Sequence, residues 1–220
     1  MPSAAWPSTV SKSGCQSERY VWRTVRAGMP AAVGYETKHA PCMKYCPECA
    51  SKLGAKRVGG VERMACVAPA CGYIHWDNPV PVVAALVQYQ DKIILARNSQ
   101  WPEGMFSLVT GFLERNETST QAVMREVNEE LGLVATALGL IGCYSLFEKN
   151  QIILAYWAMT TGELRTGSEI SEVKSVSRQE LEFWQFGELT LTSVIVKNWL
   201  EKTGTSDNAF SKAWMRMALI

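Results

Sequence analysis

The sequence predicts an α/β sandwich preceded by a small cysteine-rich module, and three observations carry that expectation. The chain has 220 residues, more than one ordinary domain of roughly 150 residues needs, so a second, small module fits the length. Five of its seven cysteines, Cys42, Cys46, Cys49, Cys66 and Cys71, fall within 30 residues. Downstream of them, short apolar runs bounded by turn residues alternate with segments of helical period, the pattern of strands and helices packed in layers.

Composition narrows the class. Apolar residues make up 47% and charged residues 20%, which excludes a largely disordered or fibrous chain. The 22 Lys+Arg nearly balance the 21 Asp+Glu, so nothing global favours a polyanion partner. The longest apolar run, Val80 to Val87, falls far short of the ~20 residues that a membrane helix requires, and no membrane partner is expected. An odd, clustered set of cysteines suits metal ligation in a reducing compartment better than a disulfide framework. A cytoplasmic location is therefore expected.

The elements follow in order. Residues 1–42 hold Lys12, Arg19, Arg23, Arg26 and Lys38 against Glu18 and Glu36, with weak apolar period. They are expected to be a disordered extension or an upstream mis-start, with an organelle transit peptide as the alternative. Met43, three residues before Cys46, marks where the working protein is expected to begin. Residues 43–78 carry the cysteine pairs. Pro81–Gln88 and Lys92–Arg97 predict two strands joined by a turn at Tyr89–Asp91, with a further short strand over Met105–Val109. Thr118–Leu131 predicts a helix, because Thr118 and Gln121 form a capping box, Ala122, Val123, Val127 and Leu131 share a face, and Gly132 provides the stop. Gly139–Phe147 and Gln151–Thr160 predict a hairpin around Glu148–Asn150. Val173–Val176 predicts a strand, and helices are expected over 177–184 and 189–202. The domain downstream of the cysteines is expected to span 79–203, and 204–220 to be a tail with a short helix over 209–219.

Two sets of residues bear chemistry. In the first, Cys46-Pro-Glu-Cys49 and Cys66-Val-Ala-Pro-Ala-Cys71 are separated by sixteen residues. Each pair on a tight turn aims two thiolates at one point, and four converging sulfurs suit tetrahedral zinc. Four ligands leave no open position, so such a zinc is structural, in a module too small to fold on its core alone. Cys42 is a substitute ligand outside both turns, and a redox dithiol is the lesser alternative. Lys52, Lys56, Arg57 and Arg63 are too few to predict nucleic-acid binding by this module.

The second set lies on the predicted helix. Glu126, Glu129 and Glu130 stand at i, i+3 and i+4, so three carboxylates share a face with no lysine between them. Hard divalent cations such as Mg²⁺, bound by oxygen and shared with substrate phosphates, explain that cluster. The stretch from Gly111 to Leu133 then reads Gly, five residues, Glu117, seven residues, Arg125-Glu126, Val127, any residue, Glu129-Glu130, any residue, Gly132, Leu133. It resembles the signature of the Nudix hydrolases at every fixed position. With the cysteine module in front, the chain is similar to the zinc-ribbon branch of that superfamily, which includes NADH and FAD pyrophosphatases.

The resemblance implies a Nudix α/β/α sandwich with a mixed sheet behind a zinc ribbon, and a hydrolase that opens the pyrophosphate of a nucleoside diphosphate linked to another moiety, as in FAD, NADH or ADP-ribose. It implies Mg²⁺ or Mn²⁺ on Glu126, Glu129 and Glu130, with the Gly111 carbonyl joining them, and a Glu117–Arg125 pair that supports the loop. For the general base it leaves Glu129, Glu130 and Glu169 open, Glu169 resembling the accessory glutamate of NADH pyrophosphatases. Asn116 stands where many members carry Gly, at a position that takes positive φ. Gly142-Cys-Tyr-Ser-Leu-Phe-Glu148 stands where NADH pyrophosphatases carry Ser-Gln-Pro-Trp-Pro-Phe-Pro, a departure that weighs against NADH as the substrate. Tyr144, Phe147, Tyr156 and Trp157 are candidates to stack on a base or flavin, although aromatic strand residues are more often core. A homodimer is compatible with the resemblance. The competing class is a non-catalytic nucleotide sensor whose ribbon binds nucleic acid or protein, and RNA decapping is an enzymatic variant of the main reading.

Overall fold

The computed structural model describes residues 43–204. The N-terminal extension with Cys15 and Cys42, the expected start near Met43 as a boundary, and the expected helix over 209–219 lie outside the described residues or at their limit. Two compact units part between Asp77 and Asn78.

The first unit is a three-stranded antiparallel sheet of β1 (Leu53–Val58), β2 (Val61–Cys66) and β3 (Ile74–His75), in that order. Gly59 and Gly60, both at positive φ, make the two-residue turn between β1 and β2, with Val58 opposite Val61. Paired positive φ gives the turn the twist of its flanking strands. Cys46, Leu53 and Ala65 are the buried apolar residues among those described in this unit. Three residues are too small a core to hold a sheet together without another constraint.

The second unit contains β4 (Val80–Tyr89), β5 (Lys92–Asn98), β6 (Val109–Phe112), α1 (Ser119–Leu131), β7 (Val134–Leu146), β8 (Gln151–Thr161), β9 (Ile170–Val176), α2 (Arg178–Glu182) and α3 (Thr190–Gly204). The sheet runs β7-β8-β4-β5-β9, with β6 also paired to β4. β4 and β8 are parallel and the other pairs antiparallel, so the sheet is mixed. Alternate residues of β4 feed two cores. Val82, Ala84 and Leu86 pack with Leu181 of α2 and Ile195, Val196 and Trp199 of α3. Val83, Ala85 and Val87 pack with Ala122, Val123, Val127 and Leu131 of α1. Helices therefore cover both faces, and the three-layer α/β/α sandwich with a mixed sheet is present as expected.

Several boundaries move. The strand expected over Met105–Val109 begins only at Val109, because Phe106 and Leu108 turn into the core and Ser107 makes a single bridge to Ala96. β7 starts at Val134, five residues before its expected start, and register shifts at Ala135/Ala137 and Leu140/Gly142 interrupt its alternation. Such bulges erase the period of two that reveals a strand in sequence. β9 starts at Ile170 rather than Val173, α2 ends early at Glu182, and α3 runs through Gly204.

One edge of β4 is shared, and that sharing places the site. β6 pairs with Val82–Ala85 and β5 with Val87–Tyr89. β6 therefore ends at Gly111-Phe112 beside the start of β4, and the chain turns from there into α1. Thr118 caps α1 with the expected capping box to Gln121, and Gly132 ends it in the left-handed conformation, φ 66. A Cβ on Gly132 would also sit 3.2 Å from the Arg165 backbone carbonyl oxygen. Gly132→Ala should therefore cost about 1–2 kcal/mol of stability. Chemical denaturation measures it, and an unchanged midpoint would contradict the cap geometry.

Candidate active site

The site is built on the loop between β6 and α1 and on the second half of the helix, from Arg125 to Glu130. Arg125 is its hub. Its Nε donates to Glu117 Oε2 at 3.1 Å and its Nη2 to Glu117 Oε1 at 2.8 Å, a bidentate pair across the loop. Nη2 also donates to the Phe112 carbonyl at 3.0 Å. Nη1 donates to Glu126 Oε1 at 2.7 Å and Glu129 Oε2 at 3.1 Å. A guanidinium has five N–H donors, and all five are engaged. Glu117 accepts one more bond, from the Glu114 N–H at 2.6 Å. Arg125, and after it that N–H, hold the Glu117 carboxyl below the usual range. Asn116 takes φ 68 in this loop, as expected of its position.

Gly111 is required by close approach. A Cβ built on it would collide with the Glu126 carboxylate, which lies against the Gly111 backbone. Glu126 is thus wedged between β6 and Arg125, and burial raises its pKa against the pull of that arginine. Glu129 is exposed and Glu130 is buried. Burial first, then the negative charges of Glu126, Glu169 and Glu129, pushes the Glu130 carboxyl up to about 8.

Glu169 arrives from a distant part of the sequence. The loop that carries it docks on the C-terminal end of α1, where Arg165 N–H donates to the Leu131 carbonyl at 2.9 Å and Gly167 N–H to the Glu130 carbonyl at 2.8 Å. A side chain at Gly167 would strike the Glu129 carbonyl. The carbonyl of Glu169 accepts from the Ser99 N–H at 2.7 Å. Helix ends leave carbonyls without partners, and this loop supplies two of them.

Glu126, Glu129, Glu130 and Glu169 line one cleft of about 610 Å³, with Thr110, Gly111, Phe112, Glu114, Arg125, Lys149, Gln151 and Ser168. The structure thus brings together the carboxylates expected to bind metal and the expected accessory glutamate, with Arg125 among them and Glu117 beside. Oxygen donors of like charge in a partly buried cleft are a donor set for a hard divalent cation.

Sequence reasoning missed Lys149, Gln151 and Glu114. Lys149 and Gln151 reach the cleft only because β8 lies parallel to β4, with Gln151 opposite Val80, and no sequence signal announces that pairing. Of the aromatic candidates, Tyr156 and Trp157 are buried on opposite faces of the sheet, and Tyr144 packs on the core with its hydroxyl accepting from Asn198 Nδ2. Tyr156 and Trp157 are core residues because β8 is an inner strand covered on both faces, whereas Tyr144 lies partly buried on the edge strand β7. Phe147 is exposed, and so is Phe112 at the cleft itself.

The cysteines of the first unit also converge. The sulfurs of Cys46, Cys49, Cys66 and Cys71 all lie within 4.8 Å of one another. Cys46 and Cys71 are 3.7 Å apart, and Cys49 and Cys66 3.4 Å. Sulfurs about 2.3 Å from a tetrahedral zinc stand ~3.8 Å apart, so the set fits that ion. Hydrogen bonds from the Ser51 side chain and backbone lower the Cys49 thiol to about 6.

The NUDIX domain family matches residues 78–194. The NAD-capped RNA hydrolase NudC of Vibrio cholerae is 30% identical over 132 residues, 59% of this chain and 48% of that protein. The mitochondrial NAD(P)H pyrophosphatase NUDT13 of Homo sapiens is 27% identical over 173 residues, 67% of this chain and 47% of its own. The chain spans about half the length of these curated relatives. The crystal structure of a NUDIX hydrolase from Nitrosomonas europaea superposes with a TM-score of 0.65 at 26% identity, covering 74% of this chain and 94% of that one.

The Glu130 environment has a consequence for stability. A carboxyl whose folded pKa is raised contributes stability below its unfolded pKa of ~4.3, and that contribution is lost as pH rises through about 8. In chelator, the wild-type thermal midpoint should fall between pH 5 and pH 8.5, and Glu130→Gln should flatten that fall. Parallel pH profiles for the two proteins would refute the assignment.

Proposed function

The chain belongs to the NUDIX domain family, and on that premise we propose that it is a divalent-cation-dependent pyrophosphohydrolase. Its substrate is a nucleoside diphosphate linked to another moiety, of the FAD, NADH or ADP-ribose class. The observation that carries this reading is the convergence of Glu126, Glu129, Glu130 and Glu169 on one cleft. The names of two relatives, an NAD-capped RNA hydrolase and an NAD(P)H pyrophosphatase, support a dinucleotide, free or joined to RNA. A non-catalytic sensor has no need of the complete carboxylate set.

The donor set fits Mg²⁺ or Mn²⁺, held by Glu126, Glu129 and Glu130 with the Gly111 carbonyl. When bound, the cation neutralises phosphate oxygens and lowers the pKa of an attacking water. The chain's own residues do the rest. Arg125 and Glu117 lock the loop to the helix and so hold Glu126 against Gly111. Glu169 lines the cleft from a separate loop, outside the hydrogen bonds of Arg125. Its separate position supports Glu169, over Glu129 and Glu130, as the group that takes the proton of the water. The exposed Phe112 ring at the cleft offers a face for a base or flavin to stack on. In the first unit, Cys46, Cys49, Cys66 and Cys71 hold a structural Zn²⁺ whose four sulfurs close its coordination shell.

Two measurements test these assignments. With Mg²⁺ or Mn²⁺, phosphatase-coupled phosphate release over FAD, NADH, ADP-ribose and an NAD-capped RNA should show metal-dependent turnover of at least one substrate. Glu129→Gln and Glu130→Gln should lower it by orders of magnitude without unfolding the protein, and wild-type rates in either would end the metal assignment. Metal analysis should find zinc in the wild type and its loss in Cys46→Ser and Cys71→Ser. Retention of zinc by both variants would remove those ligands.

A further inference from the structure

Two cations line the acidic cleft, and they differ in how they are used. Arg125 spends all five N–H donors on Glu117, Glu126, Glu129 and the Phe112 carbonyl. It has none left for a ligand. Lys149 is exposed, lines the same cleft, and its ammonium makes no hydrogen bond or ion pair with another of the described residues.

The fold brings Lys149 there by strand register. It ends the single 3-10 turn Phe147–Lys149 that joins β7 to β8. The carbonyl of Asn150, its neighbour, accepts from the Val80 N–H at 2.9 Å, which ties the turn to the start of β4. Two residues on, Val82 pairs with Phe112 of β6, next to Gly111. The carboxylates come from α1 and from the loop before β9, so Lys149 enters the cleft on an element separate from both.

We propose that Lys149 binds a phosphate of the diphosphate bridge and selects for ligands that carry two linked phosphates. This rests on the pyrophosphohydrolase reading. Glu114, Glu126, Glu129, Glu130 and Glu169 put five carboxylates in the cleft lining. An anionic bridge entering it is repelled, and a cation shared with one phosphate leaves charge on the other. The ammonium is a compact charge with three donors on a flexible stem, able to meet a phosphate oxygen without the planar fit a guanidinium needs. A monophosphate held at the carboxylate cluster has no second phosphate for Lys149 to meet, so the lysine discriminates between the two.

Calorimetric binding of ADP and of AMP, each with Mg²⁺, to wild type, Lys149→Ala, Lys149→Gln and Lys149→Arg tests this. ADP affinity should fall about tenfold in the Ala and Gln variants, the size of a lost charged hydrogen bond at an exposed position. AMP affinity should change less than about twofold, and Arg should restore most of the ADP affinity. With a substrate that is turned over, KM should rise while kcat stays within about threefold, the mark of binding lost equally from ground and transition states. Equal losses for ADP and AMP would reduce Lys149 to general attraction and overturn the proposal, as would unchanged ADP affinity or a wild type that binds no ADP. If ADP discrimination follows Lys149 while no pyrophosphate substrate is cleaved, the lysine assignment stands and the hydrolase reading fails.

Discussion

The rotation of α1 about its own axis is the constraint from which the cleft follows. Val123, Val127 and Leu131 are fully buried against the sheet, and a helix that buries such a seam has no freedom to turn. Glu130 lies three residues beyond Val127 and immediately before Leu131, so the apolar seam carries it to the edge of the core. Glu126, one turn earlier, is brought against β6 at the one residue there with no Cβ to obstruct it, Gly111. Hydrophobic burial thus holds carboxylates where electrostatics alone would not leave them. Arg125 takes up part of that charge, and Glu130 remains outside its reach.

The same helix organises the second half of the cleft through its end. Gly132 stops α1 in the left-handed conformation, and the last carbonyls need donors from elsewhere. The loop before β9 supplies them through Arg165 and Gly167, and two residues later it delivers Glu169. The backbone contact that satisfies the helix terminus is therefore also the contact that sets the distance between Glu169 and the helix carboxylates. A change at Gly167 acts on the site through that route, because the Glu129 carbonyl occupies the space a side chain would need.

Legibility in the sequence divides along local and non-local lines. The helix, its Thr118–Gln121 capping box, its Gly132 stop and the shared face of Glu126, Glu129 and Glu130 all depend on residues within one or two turns, and spacing reveals them. Each cysteine pair is legible for the same reason, and the convergence of the two pairs follows from the chemistry of four thiolates around one metal rather than from local spacing. β7 was read short because bulges at two places break its alternation. Phe106 and Leu108 carry strand-like spacing but are held by core packing around a single bridge. Lys149 belongs to the cleft through the parallel pairing of β8 with β4, and Tyr156 and Trp157 belong to the two cores for the same reason. Parallel pairing joins segments some seventy residues apart in this chain, and nothing within either segment records its partner.

The two clusters of ligating residues differ in chemistry as well as in place. The cluster in the first unit offers sulfur alone, four atoms within 4.8 Å of one another, in a unit whose other buried apolar residues among those described are Leu53 and Ala65. The second offers oxygen alone, at the edge of a sandwich with two complete cores. Soft thiolates suit zinc, and hard carboxylates suit magnesium or manganese. The division also separates roles. On the proposed reading, a closed coordination shell supplies the constraint that so small a core does not. The sandwich is held by its apolar layers and needs no ion to close its core.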